Sequence, residues 1–448
     1  MRILLQLVRS HSVLLLNAGS LIGTSAVTSL LGFVYWWLAA RQFSPQAVGF
    51  SSAAISAMTL LGTVCMLGLG TLLIGELKHQ TGKEESLISA ALIVVGVVGG
   101  CFGIVFALVA PYLSADFNAL RASIQIIVLF ALGVSLTAIT LVLDQAFIGL
   151  LRGELQLWRN TLFALVKLAA LFVIGLWFSN KVGMTIYATW VVGIVLSLVI
   201  LAGFAILKGH YSERIFQPEW ELLRKQSRSA LQHHTLNLTL QAPSQILPIL
   251  VTILLSATMN AWFYVSFMIA NFVFLTTLAL TIVLYSMSSS RPSVVAHNVR
   301  LTLILSVGIV ALANCVLLFG TNQVLGLFGH IYAEQAVWSL RILALGAFPL
   351  IIKNHYVAVL RIQKRMTLAI LPILAGSLLE LGAAALGAHL GGLSGLSLGW
   401  VIGISIEALF MSQTVYKAIR ANDASIDSTE LQDYMMSSES KVKATVRE

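Results

Sequence analysis

Charge is scarce in this sequence: 10% of its 448 residues are Asp, Glu, Lys or Arg, against 58% that are hydrophobic. A soluble fold cannot bury that much apolar surface, so a purely aqueous protein is excluded. Cysteine is scarcer still, with three in the chain. Cys65, Cys101 and Cys315 have neither metal-binding nor redox spacing, lie within apolar stretches, and read as packing residues. The motifs of energy-coupled and hydrolytic enzymes are missing too. The one Gly-Lys pair, Gly82-Lys83, is followed by Glu84 and lacks the upstream glycine of a phosphate loop, which excludes an ATP motor. There is no HExxH, no GxSxG and no pair of loop carboxylates. No outer connection is long enough for a separate domain; the segments around Pro111 to Arg121 and Thr321 to Gln335 are the longest. An enzyme is therefore not expected, nor a cofactor or a metal site.

What is present is a series of twelve long apolar stretches and a mean hydropathy of +0.92. A bilayer core of roughly 30 Å takes about 20 apolar residues per helix. The expected spans are roughly 13 to 40, 47 to 74, 87 to 110, 122 to 145, 160 to 178, 184 to 207, 231 to 256, 261 to 288, 301 to 319, 336 to 360, 366 to 388 and 393 to 416. The net charge of +9 sorts by loop rather than forming one patch. One face collects Arg2, Arg9, Arg152, Arg224, Lys225, Arg228, Arg361, Lys364, Arg365 and Lys417 among others, while the opposite face has Arg41, Arg121 and Lys181. Retention of Lys and Arg on the inner side places both termini in the cytoplasm. The basic balance then reflects topology and attraction to anionic membrane lipids, and nucleic acid is not a partner. The first span is longer than the apolar core of a signal peptide and reads as an uncleaved helix.

The one long connection divides the helices six and six. The expected organisation is an N-terminal lobe over 1–207, a cytoplasmic linker over 208–230, a C-terminal lobe over 231–416, and a polar, Ser-rich, disordered tail over 417–448. Trp220, Leu222 and Leu223 among charges suggest a short surface helix in the linker. Two bundles entered from the same side are parallel repeats.

Polar side chains within spans need a partner or water. Asn17, Ser20, Thr24 and Thr28 stripe the first span, and Asn237, Gln241 and Gln245 the seventh, with Pro243 and Pro248 nearby. The second and eighth spans add Ser52, Ser56, Thr59 and Thr63, and Ser266, Asn271, Thr277 and Thr281. Interhelical hydrogen bonding explains Ser and Thr; amides are costlier to bury and favour a hydrated, sugar-compatible cavity. Asp144 and Lys167 are expected to pair, with a role at the cavity mouth as the alternative. Lys353 lies beside Pro349, which kinks the helix and frees a carbonyl, and near His355. Anion binding, pairing with Glu407 and snorkelling are its three readings. Glu380 and Glu407 are candidates for proton or sodium coupling.

The stretch Asn17 to Gly49, with LLGFVYWWLAARQFSPQAVG, resembles the start of Wzx-type polysaccharide flippases of the multidrug/oligosaccharidyl-lipid/polysaccharide (MOP) exporter superfamily. Leu236-Asn237-Leu238 through Pro248 to Ala261-Trp262-Phe263-Tyr264-Val265, Gly68-Leu69-Gly70-Thr71 and the loop from Arg152 to Asn160 resemble the same family. Over most of residues 10 to 415, the resemblance implies an all-α polytopic membrane protein of about 12 helices in two six-helix lobes around a central cavity. It implies alternating access that carries undecaprenyl-diphosphate-linked oligosaccharide across the bacterial inner membrane for O-antigen, capsule or exopolysaccharide synthesis. The substrate-binding candidates are Asn17, Thr24, Arg41, Asn237, Gln241, Gln245, Lys353 and His355. A monomer is expected, with a polysaccharide polymerase or chain-length regulator as a possible partner. The eighth span departs from the family pattern at Tyr285 to Arg291. The competing readings are an ion-coupled small-molecule or drug antiporter of the same superfamily, although the first span lacks a coupling carboxylate, and a membrane polysaccharide polymerase or ligase.

Overall fold

A computed structural model of the chain describes residues 23–77, 82–177, 182–207, 220–288 and 295–420, with side chains from 234 onward in the helix that starts at Trp220. Asn17, Ser20, the segment 208–219 and the tail from Ala421 lie outside these residues. A bilayer offers the backbone no hydrogen bonds, so each crossing segment must satisfy its own. The described elements accordingly are all helical. Helix α1 covers 23–42, α2 Pro45–Cys65, α3 Leu69–Glu76, α4 Glu84–Leu113, α5 Ile124–Gly149, α6 Gly153–Trp177 and α7 Gly183–Leu207. Then come α8 Trp220–Leu254, α9 Ala257–Ser288, α10 Val295–Gly326, α11 His330–Gln335, α12 Val337–Leu345, α13 Ala347–Ile362 and α14 Thr367–Arg420. Ten described helices are long and apolar enough to cross a membrane. One of them, α14, has 54 residues and at 1.5 Å per residue is far longer than one crossing.

Local chemistry sets the boundaries. Ser44 caps α2 by accepting the Ala47 N–H, with Pro45 in the first turn where it needs no donor. The expected second span breaks at Gly68, whose φ of +78° turns the chain into α3. The kink expected at Pro349 falls just before it, because the proline ring excludes the carbonyl four residues back at Leu345, where α12 ends. The surface helix expected around Trp220 is instead continuous with the seventh span, as α8.

Helix α14 folds back on itself at Gly391-Gly392, the latter at φ +58°. Its two arms are zipped by small residues: Gly387 lies on Gly395, Gly399 on Ala383, and Gly403 on Glu380, each so close that a Cβ would strike the facing backbone. Gly376 faces the carboxyl group of Glu407 in the same way.

Helix α2 is the central element: 78% of its span is buried, against 17% of α6, which faces outward. It packs on α5 and α7 of its own half and on α8 and α9 of the other. Polar contacts join the halves at both ends: at one, the His234 ring of α8 meets the backbone of Thr63 and Val64 in α2, and at the other a larger set gathers. Arg41 Nε and Trp37 Nε1 both donate to the Leu327 carbonyl, at 2.7 and 2.9 Å. Asn260 Nδ2 donates to the Gly49 carbonyl at 2.7 Å and to Ser52 Oγ at 3.0 Å. Asp116 accepts the Ala257 N–H at 2.8 Å, capping α9 from the other half.

Candidate functional site

A cavity of about 460 Å³ lies among α8, α9, α13 and α14. Asn237 and Gln241 stand one helical turn apart on α8 and project into it, as their spacing of four requires. Asn271 of α9 and Asn354 of α13 complete an amide lining, and Asn354 also donates to Thr277 Oγ1 at 2.8 Å. Phe267, Phe274 and Trp400 form its aromatic wall, with the Phe267 and Phe274 centroids 5.9 and 5.8 Å from that of Trp400. Its mouth is near Tyr285 and Arg361, towards the ends of α9 and α13 and away from the contacts of Arg41, Trp37, Asn260 and Asp116. Asn271 and Leu275 also line a smaller groove of about 190 Å³ between α1 and α9, with Gly32, Phe33, Trp36, Tyr264 and Phe272. Phe272 and Leu275 are exposed on this side, so the cavity and an apolar groove share a wall.

Lys353 reaches the cavity wall and meets two carboxylates. Its Nζ lies 2.6 Å from Glu380 Oε1 and 2.9 Å from Glu407 Oε2. Side-chain exposure is 6% for the lysine and 2% for each acid, so the cluster is dry. The α14 hairpin explains the meeting: its arms set Glu380 opposite Gly403 and Glu407 opposite Gly376, so the two acids stand one helical turn apart on facing arms, within reach of one lysine. The other Glu380 oxygen accepts the Trp400 Nε1–H at 2.8 Å. Glu407 Oε1 is buried and has no hydrogen-bond partner.

Of the substrate-binding candidates, Asn237, Gln241 and Lys353 line this cavity. Lys353 takes the pairing with Glu407 that was one of its alternatives, and adds Glu380. The remaining candidates stand elsewhere. Gln245 is half-buried beyond the described lining, and Thr24 is buried, its carbonyl accepting the Thr28 hydroxyl. His355 is fully buried on the far side of α13, between Thr302 of α10 and the Ile351 carbonyl, because two residues along a helix turn the side chain away from Lys353. Arg41 belongs to the contacts between the halves, not to the cavity.

The expected Asp144–Lys167 pair gives way to another. Asp144 takes a two-pronged contact from Arg159, Nε to Oδ1 at 2.9 Å and Nη2 to Oδ2 at 2.7 Å, and Asn160 Nδ2 adds a third bond at 3.0 Å. The reason is depth. Helix α6 starts at Gly153, seven residues before the expected span, so Arg159 is inside the helix at the level of Asp144, whereas Lys167 lies about 21 Å along it. Lys167 Nζ instead sits 3.6 Å from the Trp190 ring centroid and 4.5 Å from that of Phe163.

The sequence reading did not single out Trp400 or Arg361 for this site. A tryptophan in the middle of an apolar span was the available signal for the first; nothing in the sequence marked the second as part of a cavity mouth.

Residues 14–273 match a family model described as polysaccharide biosynthesis protein. No curated protein matches the chain. Among solved structures, the fold is that of an inward-facing multidrug-resistance MATE family transporter of the MOP superfamily, with TM-score 0.69, 15% identity, and 90% of this chain and 99% of the other covered. It is also similar to the lipid II flippase MurJ in an inward closed conformation, with TM-score 0.66, 13% identity, and 92% of each chain covered.

Proposed function

Because the chain belongs to the polysaccharide biosynthesis protein family, we propose that it is a flippase that carries an undecaprenyl-diphosphate-linked oligosaccharide from the inner to the outer leaflet of the bacterial inner membrane. The observation that carries this reading is the juxtaposition of two spaces: a cavity with Asn237, Gln241, Asn271 and Asn354 in its lining, and an apolar groove that shares Asn271 and Leu275 with it. Amides beside aromatic faces suit sugar hydroxyls and ring faces. The groove suits a polyprenyl chain that stays near lipid while its head group occupies the cavity. A diphosphate does not enter hydrocarbon unaided, and Arg361 at the mouth offers it a cation.

The two halves, 1–207 and 231–416, act as lobes that rock about α2, with both termini cytoplasmic by the distribution of Lys and Arg. In that orientation the mouth faces the cytoplasm, and the contacts of Arg41, Trp37, Asn260 and Asp116 close the outer side. Alternating access breaks those contacts and closes the mouth. Glu380 and Glu407 couple the cycle to an ion gradient, which at about 2.3 kcal/mol per charge per 100 mV suffices without ATP. The protein works as a monomer and delivers its product to a polysaccharide polymerase or chain-length regulator.

A small-molecule antiporter is the second reading, favoured by the Glu380 carboxylate in the cavity wall, which is suited to a cationic substrate. Following lipid-linked sugar in cells lacking the chain, with an outer-leaflet probe that does not enter the cytoplasm, separates the two. Intact precursor trapped on the inner leaflet is expected. Normal delivery to the outer leaflet removes the flippase reading.

A further inference from the structure

Two carboxylates and one ammonium leave the cluster of Lys353, Glu380 and Glu407 one negative charge in excess, at a site where all three side chains are almost fully buried. An uncompensated charge in such surroundings is strongly disfavoured. The space between the acids, where an oxygen-coordinated cation would otherwise sit, is filled by Lys353 Nζ in contact with both. Both Glu380 oxygens have donors, from Lys353 and Trp400. Glu407 has one donor, on Oε2, while Oε1 is buried against Gly376 with none. The two carboxyl groups are close enough to hydrogen-bond once one of them carries a proton.

We infer that the coupling ion is a proton carried on Glu407, and that Lys353 is a built-in cation standing in the place an inorganic one would take. The inference rests on the transport reading above and adds the identity and the seat of the ion. In the binding step, hydronium in the cavity gives up a proton, an O–H bond forms on Glu407 and water is left; the cluster passes from one negative charge to neutral. Lys353 and Glu380 line the cavity and stand between it and Glu407, so they are the route. Among the described residues, the other titratable group near Glu407 is the Tyr356 phenol. His355 is turned to Thr302, Arg300 and Arg341 bond backbone carbonyls of Ile419 and Leu318, and Arg361 stands at the mouth.

Infrared difference spectra of the full chain in lipid nanodiscs, taken across a pH series, read the proton directly as the carbonyl stretch of a protonated carboxyl group. The band is expected to titrate in the wild type, to be indifferent to exchange of sodium for choline, to vanish in Glu407→Gln and to move in Glu407→Asp. In Lys353→Met, where both acids must be neutralised, it should roughly double. A band that survives Glu407→Gln, that sodium abolishes, or that never appears while the chain is folded overturns the inference. No lipid-linked sugar is present, so a failed flippase assay leaves the result standing, and a silent band in a chain that flips lipid removes this inference alone.

Discussion

Replacing Lys353 with methionine separates two quantities that the native cluster holds in balance. At 2.6 and 2.9 Å and an effective dielectric of about 20, the ammonium attracts each ionised carboxylate by about 6 kcal/mol. Most of that attraction is offset by the cost of drying three ionisable groups. The variant keeps the acids buried and loses the attraction, so it should be less stable by about 3 to 5 kcal/mol, the usual penalty for orphaning a buried ion pair. A triple variant, Lys353→Met with Glu380→Gln and Glu407→Gln, removes the charges together and should recover most of the loss. Thermal unfolding of the purified chains in a single detergent, followed by tryptophan fluorescence, reads the comparison. A Lys353→Met protein that melts with the wild type, or a triple variant as damaged as the single one, would refute the argument that charge balance holds this site together.

Other contacts give further tests. Asp144→Asn should cost about 3 to 5 kcal/mol by leaving Arg159 without its carboxylate, whereas Lys167→Met should cost about 2 kcal/mol or less because Lys167 rests on aromatic faces; equal melting shifts would contradict the pairing seen here. Gly376→Ala drives a methyl group into the Glu407 carboxyl and should cost about 1 to 3 kcal/mol, while Gly308→Ala, with open space around it, should be neutral or stabilising; the same thermal assay compares them. Arg41→Ala should loosen the closed end. With the native cysteines replaced, a thiol at Ser52→Cys, buried in the wild type, should react with a membrane-impermeant reagent at least tenfold faster, and an unchanged rate would deny Arg41 that part. Asn237→Leu with Gln241→Leu should lower outer-leaflet lipid-linked sugar without lowering protein abundance; unchanged export would remove these amides from the substrate path.

The helical architecture was legible because continuous apolar runs admit few alternatives in a bilayer. Asn237 and Gln241 were legible as well, since a spacing of four fixes a shared face whatever the surroundings. Pairings were harder. Lys353 could be placed at the depth of Glu407, but its contact with Glu380 depends on the hairpin at Gly391-Gly392, whose closely packed arms bring the two acids within one helical turn of each other. Arg159 looked like a loop residue because its helix begins seven residues earlier than the apolar run, in a polar stretch from Gly153. Arg41 was read by charge alone, and charge does not say whether an arginine faces a cavity or a neighbouring helix end. The cavity itself lies among helices of the second half, an asymmetry that matching stripes on the first and seventh spans did not suggest.

The closure between the halves has an evolutionary consequence. Arg41 and Trp37 bind the carbonyl of Leu327, Asn260 binds that of Gly49, and Asp116 binds the amide of Ala257. Every residue brings a carbonyl, so residue 327, which is exposed, is free to drift in identity as long as the backbone keeps its path. Selection then falls on one side of that contact, and homologues should hold Arg41 and Trp37 more tightly than the position they grip, whereas Gly49 and Ala257, pressed against each other, are fixed along with Asn260 and Asp116.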